Sequence, residues 1–129
     1  MTRRSLSTDA APAAIGPYSQ GIDADPMIYT SGQLGIDPRT GELVAGGIGE
    51  EARRALDNLG AVLAAAGVSY ADVVKTTVFL ADIADFAALN GVYGSYFSDS
   101  PPARSTFAVA ALPKGGRVEI EAIAVRQRV

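Results

Sequence analysis

The stretch "RVEIEAIAVR" (residues 117–126) decides the fold, because it is typical of a β-strand with little polar surface on either side. Alternation along a strand places two sets of side chains on opposite faces of the sheet. One face carries Val118, Ile120, Ala122 and Ala124, and the other carries Glu119, Glu121, Ile123 and Val125. Since neither set is polar throughout, both faces of this strand are expected to be covered.

Two helices are predicted to cover one of these faces. From Ile48 to Ala66 apolar residues recur at three- and four-residue steps, with polar residues such as Asn58 between them, and Gly67 is the expected stop. Asp82 can cap a second helix, and its apolar stripe contains Asn90, which needs a partner if it is buried. Pro101 and Pro102 end that region.

The other segments are predicted as strands and turns. Residues 17–36 hold two short extended stretches, 37–44 form a turn, and 73–81 and 104–112 are strands. "PKGG" (113–116) is interpreted as a hairpin loop before the last strand. This order predicts an α+β fold, with both helices on one face of a mostly antiparallel or mixed sheet. A second copy of the chain is then expected on the other face, although small residues such as Ala122 can also be tolerated at a surface.

The composition limits the chemistry. The 129 residues suit one domain spanning 1–129, and the formal net charge of −3 without a basic stripe argues against a nucleic-acid partner. The chain has no Cys and no His, which excludes thiolate nucleophiles and Ser-His-Asp triads, and no acidic loop has the spacing of a metal site. We expect a cytoplasmic protein with no metal, no cofactor and no membrane segment, since the longest apolar run has ten residues.

Arg104 is the first candidate for function. It is the one charge in "PPARSTFAVAALP" (101–113), and it shares a strand face with Thr106 and other small residues, which leaves room in front of it. A guanidinium can bind a carboxylate with two parallel hydrogen bonds. The alternative, from the isolated residues, is a salt bridge to Glu119 or Glu121 of another subunit.

Other candidates have equally plain alternatives. Glu121, inside "EIEAIAV", is expected to be partly desolvated and so suited to proton transfer, or else paired with a cation across a sheet. Tyr18 follows Gly16-Pro17 and can donate a hydrogen bond, or simply pack. Ser31-Gly32 offers a hydroxyl and a close backbone approach, or marks a bulge.

Five motifs in the same order and spacing resemble the RidA/YjgF family of reactive enamine/imine deaminases, which have also been described as endoribonuclease L-PSP proteins. They are "AAIGPYSQG" (13–21), "YTSGQLGIDPRTGEL" (29–43), "VVKTTVFLADIADFAALNGVYGSYF" (73–97), "PPARST" (101–106) and "LPKGGRVEIEAIA" (112–124). The resemblance implies a chorismate mutase-like fold, in which a six-stranded sheet carries two helices on one face. It also implies a homotrimer with a barrel-like core of sheets and clefts between subunits for small carboxylates.

The resemblance also implies a site. The family's carboxylate-binding arginine falls on Arg104 and its water-orienting glutamate on Glu121. The remaining positions fall on Tyr18, Ser31, Gly32 and Asn90. Thr106 stands where many deaminases of the family have cysteine, which bears on substrate range.

The implied reaction is hydrolysis of 2-imino or enamino acids, such as 2-aminoacrylate, to 2-keto acids and ammonia. Two alternatives stay open. One is a non-catalytic trimer that binds small carboxylates or keto acids as a regulator or chaperone, and the other is a ribonuclease or translation inhibitor, against which the net charge argues.

Overall fold

A computed structural model describes residues 3–127 of the chain. It contains seven strands and two α-helices, joined in part by short 3₁₀ turns at Tyr70–Asp72, Ile83–Asp85 and Pro113–Gly115. The elements are β1 (Arg4–Leu6), β2 (Gly21–Ala24), β3 (Met27–Thr30), β4 (Gln33–Leu34), α1 (Ile48–Ala65), β5 (Val73–Leu80), α2 (Phe86–Tyr96), β6 (Ala103–Ala108) and β7 (Val118–Val125).

The strands form one mixed sheet in the order β1-β2-β3-β7-β5-β6, and β4 pairs with β7 beyond the end of β3. Among the strand pairs of residues 3–127, the β5–β6 pair is parallel and the others are antiparallel. This confirms the predicted α+β class and mixed sheet. The sheet has seven strands rather than six, because the chain leaves the sheet at Ser31-Gly32 and so divides one extended stretch into β3 and β4.

The prediction of a hairpin loop at "PKGG" (113–116) is wrong. Strands β6 and β7 do not pair, because β5 lies between them and bonds to both. Strand β6 runs parallel to β5, and the turn Pro113–Gly115 then carries the chain across the end of β5 to β7. Strand β6 also ends at Ala108, four residues before the predicted end at 112.

Both helices lie on one face of the sheet and contact each other. Helix α1 ends as predicted, because Gly67 takes a positive φ of 75° and its N–H donates to the Ala64 carbonyl at 2.9 Å. The Asp82 carboxylate accepts from the Ala84 N–H at 2.9 Å, which confirms the predicted cap. The capped turn is 3₁₀, and α2 begins after it at Phe86 and ends at Tyr96, before the two prolines.

Asn58 corrects the predicted polar side of α1, because its side chain is wholly buried. Its amide donates to the carbonyls of Leu34 and Ile36 at 3.0 and 2.8 Å, and its oxygen accepts from Arg54 at 3.0 Å. The spacing of apolar residues along α1 does not reveal that a polar residue between them is buried and hydrogen-bonded. Asn58 therefore ties the segment after β4 to the helix.

We expect Asn58→Ala to lower the free energy of unfolding by about 3 kcal/mol, because two buried carbonyls lose their donor. Chemical denaturation at a fixed protein concentration measures the change. Arg53→Ala, at an exposed position of the same helix, is the matched control and should shift stability by less than about 0.5 kcal/mol. Equal unfolding midpoints for the two variants would contradict this role of Asn58.

The opposite face of the sheet carries no helix within residues 3–127. Exposed aromatic side chains lie on it, including Tyr29 and Phe107, and Phe107 contacts Phe79 edge to face with ring centres 5.3 Å apart. Neither helix in the described part of the chain has both the length and the apolar character needed to cross a membrane. The expectation that a second copy covers this face stays a prediction.

Candidate active site

Arg104 lies on β6, opposite Thr76 of β5, and is half-buried on the helix side of the sheet. Its guanidinium carbon is 4.7 Å from the centre of the Tyr93 ring and 5.5 Å from that of Phe86. The sequence predicted open room in front of this arginine, but the two rings of the second helix region occupy part of it. Such contacts stabilise a cation and restrict its orientation.

No acidic residue within residues 3–127 forms an ion pair with Arg104. Glu119 and Glu121 lie on the other face of the sheet from Arg104, so neither reaches it within one chain, and a salt bridge to either glutamate of another subunit stays a prediction. Arg104 is thus a half-buried positive charge that the described part of its own chain does not neutralise with a carboxylate.

Asn90 and Thr106 lie beside Arg104. Phe86, Asn90 and Tyr93 are spaced by four and three residues and so share one side of α2. Thr106 lies two residues after Arg104 on the same face of β6. The Oδ1 atom of Asn90 and the Oγ1 atom of Thr106 are buried and have no hydrogen-bond partner. Buried polar atoms without partners are uncommon and costly, so a bound polar molecule here would supply what they lack.

The hydroxyl of Tyr93 is bonded to the buried Oγ1 of Thr76 at 2.7 Å, which fixes the ring that lies under Arg104. Burial raises the pKa of Tyr93, although the bond to Thr76 and the charge of Arg104 oppose the rise. The phenol therefore stays neutral near pH 7 and adds no negative charge to the surroundings of Arg104.

A second group of candidates lines a cavity of about 450 Å³. Tyr18, Gly32 and Glu119 are among its lining residues. The Tyr18 side chain is half-exposed, and its hydroxyl oxygen accepts from the Ile15 N–H at 3.3 Å, which leaves the hydroxyl proton free to be donated. A Cβ atom on Gly32 would lie 2.7 Å from the carboxyl carbon of Glu119, so the missing side chain is what admits that carboxylate.

Glu119 is the functional candidate that the sequence analysis missed. Burial raises the pKa of its carboxyl, and the negative charge of Glu121 raises it further. Glu121 lies instead beside a shallower hollow of about 120 Å³ with Lys75 and Thr77. Alternation places both glutamates on one face, but only the pairing of Leu34 with Glu119 shows which one reaches Gly32.

The polar groups of Ser31 already have partners within the chain. Its hydroxyl donates to the Ser19 carbonyl, and its N–H donates to the Gln20 carbonyl at 2.9 Å. The hydroxyl proton is therefore used within the chain, and the oxygen can only accept from a ligand.

Two groups of candidates thus lie on opposite faces of the sheet. Arg104 and Thr106 face the helices and Asn90 lies on α2, while Glu119 and Glu121 project from the other face of the sheet. A single chain does not bring the two groups together. Among residues 3–127 there is also no group of three or more His, Cys, Asp or Glu residues that could hold a metal ion.

Comparisons place the chain among known proteins. Residues 8–126 match the family described as Endoribonuclease L-PSP. A goat (Capra hircus) protein named 2-iminobutanoate/2-iminopropanoate deaminase is 62% identical over 98% of this chain and 92% of its own length. The Escherichia coli protein of the same name is 50% identical over 96% and 98%. The crystal structure of E. coli TdcF with bound serine has a TM-score of 0.92 at 46% identity, and covers 96% of this chain and 99% of its own.

Proposed function

The chain belongs to the Endoribonuclease L-PSP family, the family of RidA, and on that premise we propose that it is an imine deaminase. Its substrates are reactive 2-imino and enamino acids such as 2-aminoacrylate, and its products are 2-keto acids and ammonia. Support comes from relatives at 50% and 62% identity that are named 2-iminobutanoate/2-iminopropanoate deaminase and match nearly the whole chain.

One observation carries the proposal: the guanidinium of Arg104 is held by two aromatic rings and has no acidic partner within residues 3–127. A 2-imino acid has a carboxylate next to its electrophilic carbon. Binding that carboxylate to Arg104 fixes the position of the reacting C=N bond, which lowers the entropic cost of attack by water. The serine bound in TdcF is an amino acid and carries the same carboxylate group.

In the proposed reaction a glutamate takes a proton from water as the water oxygen bonds to the imine carbon. The C=N electron pair moves to nitrogen, and the glutamate returns its proton there, which gives a neutral carbinolamine. The glutamate then takes the proton of the new hydroxyl and passes it to the same nitrogen, so the C–N bond breaks and ammonia leaves as the C=O bond forms. No oxidant or reductant is needed. Glu119 suits this step because its raised pKa makes it a stronger base than an ordinary glutamate, and Glu121 is the alternative.

The remaining side chains would hold the imine. Asn90 Oδ1 and Thr106 Oγ1 are enclosed and lack partners, so their side chains would have to turn to reach the polar groups of a ligand whose carboxylate is on Arg104. Tyr18 can donate its hydroxyl proton, and the backbone at Gly32 admits Glu119 to the same cavity. Ser31 contributes as an acceptor.

The site requires more than one copy of the chain. Since Arg104 and Glu119 lie on opposite faces of the sheet, we place the substrate in a cleft where Arg104 of one subunit meets Glu119 of another. The assembly implied by the resemblance is a chorismate mutase-like homotrimer, in which the helix-free faces pack into a barrel-like core. The exposed Tyr29 and Phe107 on that face would then be buried between subunits.

The test generates 2-aminoacrylate with a serine dehydratase in a coupled assay. Addition of this protein should accelerate release of pyruvate and ammonia above the uncatalysed rate. No acceleration with 2-aminoacrylate or 2-iminobutanoate would exclude the deaminase. If 2-keto acids nevertheless bind, the alternative of a non-catalytic carboxylate-binding protein is favoured. The net charge of −3 gives the ribonuclease alternative no electrostatic support.

A further inference from the structure

We propose that Gln20 is a positioning residue for the reaction, because its buried carboxamide holds the wall of the cavity that carries Tyr18. The inference rests on the proposed function and adds Gln20 to the residues that serve the reaction. Gln20 is 6% exposed and lines the cavity with Tyr18. It lies just before β2, so the sheet supports its backbone.

The carboxamide uses both of its N–H donors and one of its two oxygen lone pairs on one segment. Its nitrogen donates to the carbonyls of Thr8, Ala11 and Pro12 at 3.0, 3.3 and 2.8 Å. Its oxygen accepts from the Thr8 N–H at 2.7 Å. One side chain therefore replaces the strand pairing that this segment lacks, since residues 8–18 belong to no helix or strand.

The held segment leads directly to Tyr18. Pro12, Ala13 and Ile15 form the cavity wall, and the Ile15 N–H donates to the Tyr18 hydroxyl oxygen at 3.3 Å. The chain then turns, because the Tyr18 N–H donates to the Gly16 carbonyl at 2.8 Å. Gln20 therefore holds the first part of the loop 8–18, and the bond between Tyr18 and Ile15 holds its last part, so the position of the phenol depends on both contacts.

A structural reporter tests the first half of the proposal without any activity. The chain has no Trp, so Ile15→Trp places a single tryptophan at the exposed tip of the loop. Adding Gln20→Ala should lower the fluorescence anisotropy of that tryptophan and raise its quenching by acrylamide about twofold or more. Gln127→Ala, at an exposed position, is the matched control and should change neither. Equal anisotropy in all three proteins would overturn the proposal even if the deaminase assay succeeds.

Kinetics test the second half. Gln20→Ala should lower kcat for 2-iminobutanoate by about tenfold or more, with KM changed less than about twofold, because Arg104 still binds the carboxylate. The double variant with Gln20→Ala and Tyr18→Phe should have nearly the same kcat as the less active of the two single variants, because both substitutions act through the Tyr18 hydroxyl. In the double variant with Gln20→Ala and Arg104→Lys, the fold losses of kcat/KM from the two substitutions should multiply, because they act on different parts of the site.

Three results would overturn the role in catalysis. They are an unchanged kcat, effects of Gln20→Ala and Tyr18→Phe that multiply, and a loss of activity that follows the thermal unfolding midpoint alone. A Gln20→Glu variant keeps the shape of the side chain but has no N–H to donate to these carbonyls, so it should reproduce the alanine effect on kcat. If the unmodified protein has no deaminase activity, the proposed function fails while the tryptophan result still decides the role of Gln20 in the loop.

Discussion

Arg104→Ala should lower kcat/KM for 2-imino acids about a thousandfold, the largest effect that we expect from any single substitution. A charge-assisted, two-point bond to the carboxylate is lost, and with it the fixed position of the imine carbon. The coupled dehydratase assay measures the change. Arg104→Lys should recover part of the loss, since it keeps the charge but not the fork of parallel donors.

Two controls separate catalysis from assembly. Arg39→Ala removes an exposed arginine that pairs with Asp37 and should leave kcat/KM unchanged. Size-exclusion chromatography should show the same oligomer for Arg104→Ala as for the unmodified protein. Loss of the oligomer would instead support the salt-bridge interpretation of Arg104, and full activity in the alanine variant would contradict the carboxylate site.

Glu119→Gln should lower kcat about a hundredfold or more and leave ligand binding nearly intact, because the amide keeps the shape of the side chain but cannot take a proton from water. Glu121→Gln is the matched control on the same face of the same strand and should lower kcat only a few fold. If the two effects are reversed, Glu121 is the base. If neither variant loses turnover while 2-keto acids still bind, the non-catalytic interpretation gains.

The raised pKa of Glu119 also predicts the direction in which activity and stability change with pH. Burial raises the pKa of Glu119, so as the pH falls the base is protonated, and activity lost, at a pH above the ordinary glutamate value of about 4.3. Stability changes with pH in the opposite direction from activity. The folded chain holds the proton more tightly than the unfolded chain, so stability falls as the pH rises from the ordinary value through the raised one. Glu119→Gln should therefore be at least as stable as the unmodified protein at neutral pH while being less active.

Much of the fold follows from sequence pattern alone. The period of α1, its stop at Gly67 and the cap at Asp82 are local features, and each has a local physical cause. The prediction of a hairpin at "PKGG" was wrong because strand pairing is not a local feature. Which strands pair depends on the crossover through α2, and sequence neighbours need not be sheet neighbours.

The candidate site shows the same limit. The face of Arg104 follows from alternation along β6, but its contacts with Tyr93 and Phe86 depend on how α2 packs. The choice between Glu119 and Glu121 depends on the position of β4, a strand of two residues that carries too little pattern to be predicted. Asn58 and Gln20 were missed as anchors because both bond to backbone carbonyls, which are present at every residue and leave no mark in a sequence.

The place of β7 has a consequence for biosynthesis. Of the strands described, this one leaves the ribosome after all the others, yet it lies in the middle of the sheet, bonded to β3 and β4 on one side and β5 on the other. Until residues 118–125 emerge, the two halves of the sheet have no common partner, and the backbone N–H and C=O groups along their facing edges are unpaired. A nascent chain of this protein thus cannot complete the described sheet by stepwise addition of strands in chain order, and the sheet closes only when β7 inserts between β3 and β5.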